Sequence, residues 1–153
     1  MKINFKKKYF FGAFIILLGI YLAGPGWHLI YVPHLTPISP LSTVASAKAF
    51  VKAKESKFSN IKENNISHIL WSNDLQQKTK YALVYLHGFS ASPKEISPVL
   101  EEVSKKLNIN VYFPRLSGHG LDNDFMENLT ADLLFQDAEE SYQIGQAIGE
   151  KII

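Results

Sequence analysis

Residues 83–95 read "LVYLHGFSASPKE", and this stretch decides the fold. A run of β-branched, aromatic and aliphatic residues from Tyr81 stops at His87-Gly88. Small residues follow, and then a proline with helix-start chemistry. An almost continuous apolar run of this length is the pattern of a strand buried on both faces, as in a parallel sheet. Ser92-Pro93-Lys94-Glu95 fits a capping box with proline at the first helical position, and Ser97-Pro98 offers a second start. Pro98 would disrupt a helix begun at Ser92, so a short turn is expected first and the main helix from Pro98. Its apolar stripe is Ile96, Val99, Leu100, Val103 and Leu107.

Working outward, "INVYFP" (Ile109 to Pro114) is the next strand and "RLSGHGLDND" a glycine-marked loop. Thr130 to Ile148 is a helix with Leu134, Ala138, Ser141, Gly145 and Ile148 inward, and "EKII" opens a further β-branched run. Upstream, "HILWS" (His68 to Ser72) is a short strand. Ser42 begins an amphipathic helix with Val44, Ala47, Val51 and Phe58 on one side and lysines and Glu55 on the other. Strand, helix, strand, helix, strand is α/β alternation with right-handed crossovers.

The 153 residues hold no cysteine, so disulfides, thiolate metal sites and a cysteine nucleophile are excluded. The five histidines lack the close pairing of a zinc helix, and no metal or other cofactor is expected. A net charge of +2, with lysines scattered beyond the first eight residues, argues against a nucleic-acid partner. At the N-terminus, Lys2, Lys6, Lys7 and Lys8 precede a stretch uncharged from Tyr9 to Trp27. At about 1.5 Å per residue it would reach roughly 28 Å, close to the thickness of a bilayer core.

These features divide the chain into a basic cytoplasmic end (1–8), a transmembrane signal anchor (9–30), a proline-rich linker (31–41) and an α/β part (42–153). An uncleaved anchor is favoured over a cleaved signal, because Tyr21-Leu22-Ala23 offers a peptidase only one small residue. The lysine asymmetry puts the N-terminus in the cytoplasm and the remainder outside, with the lipid bilayer as a partner.

"LVYLHGFSASPKE", followed about 20 residues later by "PRLSGHG", resembles the α/β-hydrolase superfamily, nearest to carboxylesterases, monoacylglycerol lipases and lysophospholipase-like enzymes. The resemblance covers roughly Ile66 to Ile153. It implies a partial α/β-hydrolase fold, a parallel sheet with flanking helices, preceded here by the transmembrane helix. It also implies ester hydrolysis on a small ester or acyl lipid. The backbone N–H of Phe89 would be an oxyanion donor, with His87, Gly88, Phe89 and Ser90 at the substrate and Arg115, Gly118, His119 and Gly120 supporting the loop. His87 would hold the loop by hydrogen bonding and would not be the catalytic base.

The nucleophile of such enzymes sits in G-x-S-x-G, and no such string occurs in this sequence. Gly88-Phe89-Ser90-Ala91-Ser92 comes nearest. A triad of Ser90, His119 and Asp122 or Asp124 would need that loop to serve as the elbow without its second glycine. The sequence therefore reads as the front part of a serine hydrolase, inactive alone. The alternatives are a membrane-tethered binding module with a partial hydrolase fold, and a chain whose C-terminus pairs with another that supplies the triad.

Overall fold

The computed structural model describes residues 5–23, 31–122 and 125–153. They fall into two units, Met1–Val32 and Pro33–Ile153. The first holds helix α1, Phe5–Ala23. Here the sequence expectation fails. Only Tyr9–Ala23 of this helix is free of charge, spanning roughly 22 Å at about 1.5 Å per residue, short of a hydrocarbon core of about 30 Å. Among the described residues no helix is long and apolar enough to cross a membrane. The expected transmembrane helix is thereby corrected, and with it the single-pass orientation with an extracytoplasmic hydrolase part. Residues 24–30 of the expected span lie outside the described residues.

The second unit is built on four strands: β1 (His68–Leu70), β2 (Thr79–Val84), β3 (Asn110–Phe113) and β4 (Gly149–Ile152). Their order is β1-β3-β2-β4. β2 runs parallel to both β3 and β4, whereas β1 is antiparallel to β3, with Ile69 opposite Tyr112. The sheet is therefore mixed, where the sequence predicted a parallel one. A three-residue strand carries no directional signal in its periodicity, and the chain enters it after α2 (Val44–Glu55).

Helix α3 (Ser97–Leu107) joins β2 to β3, and α4 (Ala131–Ile148) joins β3 to β4. The first crossover runs from β2 to β3 and the second from β3 back past β2 to β4, so they move in opposite directions along the sheet, and right-handedness then sends their helices to opposite faces. The core divides accordingly. On one face Ala82 and Tyr112 pack with Ala47 and Val51 of α2 and Ile144, Ala147 and Ile148 of α4. On the other, Val111 and Phe113 pack with Leu100 of α3, flanked by Leu70, Leu83 and Tyr85. The alternation of Val111, Tyr112 and Phe113 between the two clusters is the period of two of a strand covered on both sides.

Boundaries follow local chemistry. A 3₁₀ turn at Pro93–Ile96 precedes α3, which starts at Ser97 with Pro98 in its first turn, as predicted. The capping box at Ser92 is not formed; Glu95 instead accepts from the Tyr85 hydroxyl at 3.0 Å. Thr43 caps α2 in a box with Ser46, and Thr130 caps α4. Leu134, expected inward, is exposed, and so are Val99 and Leu107 of α3. Phe58 lies beyond the end of α2. The buried face of α4 is Asp137, Ser141, Ile144 and Ile148.

The proline-rich segment is not a free spacer. Its backbone lies along α4: the His34 and Thr36 amides donate to Asp132 and Gln136, the Gln136 amide returns a bond to the Thr36 carbonyl, and Leu41 N–H donates to Gln143.

Candidate functional site

In an open α/β sheet, the crevice lies outside the carboxyl ends of the strands, beside the strand about which the direction of the connections reverses. That strand is β2. Two loops meet beyond its tip: residues 85–92, which follow β2, and residues 114–122, which follow β3. They border a cleft of about 730 Å³ lined by Phe89, Ser90, His119, Leu121 and Met126, with Lys62, Glu95 and Asp122 among its polar groups.

The first loop turns at Gly88–Ala91, closed by Ala91 N–H to the Gly88 carbonyl at 3.1 Å. Ser90 has φ +62° while Phe89 is not left-handed, the pattern of a type II turn. That conformation is uncommon for serine and costs on the order of 1–2 kcal/mol. It is held by Ser90 N–H donating to His119 Nε2 at 3.1 Å. Among the described residues the Phe89 N–H has no hydrogen-bond acceptor. The Phe89 side chain is 80% exposed and meets the His119 ring edge-on. At Gly88 an added Cβ would meet nothing within 4 Å, so the fold itself does not require glycine there.

The second loop is fixed from four sides. Arg115 is buried; its Nε donates to Glu55 Oε2 at 3.0 Å and its Nη1 to the His119 carbonyl, while its guanidinium lies over the Phe58 ring. Ser67 accepts from the Arg115 amide and donates to Glu55. Asp137 of α4 accepts from Ser117 N–H at 2.6 Å and pairs with Lys54, which also reaches Glu140. Burial works against the Lys54 charge, but the two carboxylates outweigh it and raise its pKa. His87, on the first loop, accepts from Leu116 N–H through Nε2 at 3.2 Å. Gly118 and Gly120 both have positive φ, and a Cβ at Gly120 would press against Asn65 and Arg115.

The residues that the resemblance singled out converge here. His87, Gly88, Phe89 and Ser90 form one loop, and Arg115, Gly118, His119 and Gly120 the other. The arrangement of Ser90, His119 and Asp122 as a relay does not form. His119 faces the Ser90 backbone, and its Nδ1 is bonded to the Ser117 carbonyl at 2.9 Å rather than to a carboxylate. Asp124 lies outside the described residues. Burial lowers the His87 pKa, and the nearby His119 reinforces this, so its imidazole is held neutral. Among the described residues no group of acidic or histidine side chains could hold a metal.

Sequence reasoning missed Glu55, Ser67 and Asp137. Asp137 was findable, because it falls in the apolar helical series with Ser141, Ile144 and Ile148, where a carboxylate demands a buried partner. No protein-family model matches the sequence, and no match is found among curated proteins.

Proposed function

We propose that this cleft is the acyl-binding and oxyanion-stabilising part of a serine ester hydrolase, acting on small carboxylic esters or acyl lipids. The observation that carries the reading is the Phe89 amide, which lacks an acceptor and stands on a braced loop beyond an interior strand. Acyl transfer builds negative charge on a carbonyl oxygen, and a fixed backbone N–H stabilises that charge without reorganising. The open space around Gly88 leaves room for a ligand to approach the backbone. The α/β-hydrolase resemblance assigns the same amide to this task, from the loop between strand and helix.

The nucleophile, acid and catalytic histidine are not among the residues of this chain, so it binds and polarises but does not turn over by itself. Two measurements test this. A fluorophosphonate probe should leave the protein unlabelled; covalent labelling at Ser90 would replace the reading with a triad inside this cleft. Titration with hexanoate, followed by amide NMR, should shift Phe89, and an unmoved Phe89 resonance overturns the proposal.

The missing G-x-S-x-G favours a second reading, a non-catalytic binding module. The two differ in charge preference. An oxyanion site favours hexanoate over methyl hexanoate, because its donor is matched to developing negative charge. A module that recognises the apolar chain binds both alike.

A further inference from the structure

We propose that His87 and His119 form a reciprocal lock between the two loops, closed by neutral imidazoles and opened by protonation, which makes presentation of the Phe89 amide dependent on pH. Each ring sits on one loop and accepts a backbone N–H from the other. His87 Nε2 takes Leu116 N–H at 3.2 Å, and His119 Nε2 takes Ser90 N–H at 3.1 Å. An amide N–H needs a lone pair, so both Nε2 atoms are unprotonated. The remaining nitrogens face carbonyls: His87 Nδ1 is 3.0 Å from the Gly88 oxygen and His119 Nδ1 is 2.9 Å from the Ser117 oxygen. Each therefore carries its proton on Nδ1, and all four ring nitrogens are committed.

A proton added to either Nε2 would face another donor. The bond it replaces would be lost, and at His87 the buried Leu116 N–H would be left without a partner. The rings pack edge to face with centroids 5.0 Å apart, so two imidazolium charges would also repel. Both side chains are nearly inaccessible, His87 at 4% and His119 at 6%.

The surrounding charges do not offset this. Glu95 and Asp137 favour a charged His87, but burial is the larger influence and lowers its pKa. Asp137 is already paired with Lys54, and Arg115, whose Nη1 touches the His119 carbonyl, is paired with Glu55. Lys62 and Asp122, of opposite sign, share the cleft with His119. The two bonds cross between the same loops in opposite directions, so losing one weakens the other. Freed from His119, the left-handed Ser90 is held by the Ala91-to-Gly88 turn bond alone, and the turn that presents Phe89 loosens.

The test is amide hydrogen exchange on the full chain between pH 7.5 and 5.0, corrected for intrinsic rates, with Ile144 in α4 reporting global opening. Protection of Leu116 relative to Ile144 should fall by up to about tenfold per pH unit below the ordinary imidazole value of about 6.5, and protection of Ser90 should fall with it. His119→Gln keeps an acceptor that cannot be protonated and should reduce the Ser90 slope to what the coupling to His87 transmits, while Leu116 still responds through His87. Imidazole nitrogen spectra of the unsubstituted protein should place the proton on Nδ1 in both rings at pH 7.5. A Ser90-to-Ile144 ratio that stays constant to pH 5.0, an undiminished slope in His119→Gln, or an Nε2-protonated ring would overturn the lock. None of these readouts depends on what the cleft binds.

Discussion

Gly88 and Gly120 occupy the same site for opposite reasons. At Gly120 the backbone is left-handed at φ +69°, and a Cβ would come within 2.8 Å of Asn65 and 2.9 Å of the Arg115 side chain. Gly120→Ala should therefore cost about 2–3 kcal/mol, combining left-handed strain with overpacking, and urea unfolding will measure it. Around Gly88 the space is empty. Gly88→Ala should leave the unfolding free energy within about 0.5 kcal/mol, as changes away from packed features do, yet abolish the hexanoate shift at Phe89. If stability falls instead, Gly88 serves the backbone and not a ligand. The sequence announced both glycines, along with His87 and His119. It could not announce the left-handed Ser90, because nothing in the side chain of serine marks it for that conformation.

At the level of elements, the loops are held less by their own strands than by the helices behind them. Asp137 links α4 both to the Ser117 amide and to Lys54 of α2. Asp137→Ala leaves a buried N–H and a largely buried ammonium short of a partner, and should cost about 3–5 kcal/mol in urea unfolding. Asp137→Asn, which keeps an acceptor for Ser117, should cost less. Gln136 acts on the strap instead. Its side-chain amide pairs with both backbone groups of Thr36, and Gln136→Ala should release the 33–41 segment to proteolysis with about 1 kcal/mol lost from the global fold. The alternation of elements was legible from Ile66 onward, including the pause before α3, because Ser97-Pro98 leaves little choice of where that helix starts. The face that α4 buries was misread. Leu134 and Ala138 were preferred to Asp137 on polarity alone, although helical spacing from Ile144 and Ile148 selects Asp137. Glu55, set with the lysines on the polar side of its helix, is buried instead, since its partner Arg115 lies 60 residues away and periodicity does not reach that far.

For the whole molecule, acid is the informative perturbation. Burial depresses the His87 pKa in the folded state, so the unfolded chain binds more protons below the ordinary imidazole value of about 6.5. The stabilisation from this group is complete above that pH and is lost as pH falls through the folded pKa. The urea midpoint should therefore be lower at pH 5.5 than at pH 7.5, and a His87→Gln variant should show a smaller difference. A midpoint independent of pH would show that His87 is no more buried in the folded chain than in the unfolded one. Elsewhere the interior is electrostatically settled. Among the described residues every buried side-chain nitrogen or oxygen has a partner, and burial pushes the Tyr112 phenol up to about 12. The α/β layering could be read in advance because hydrophobic patterning specifies layers. The N-terminal helix could not, since an apolar run does not reveal that, among the described residues, no helix is long and apolar enough to cross a membrane.

The contact between Glu55 and Arg115 gives this architecture a mechanical property. The last turn of α2 grips the guanidinium whose other arm holds the backbone oxygen of His119. The position of His119 is in this way tied to the end of α2 through one carboxylate and one guanidinium. A change in where α2 ends would therefore be registered at the loop that holds Ser90, through His119.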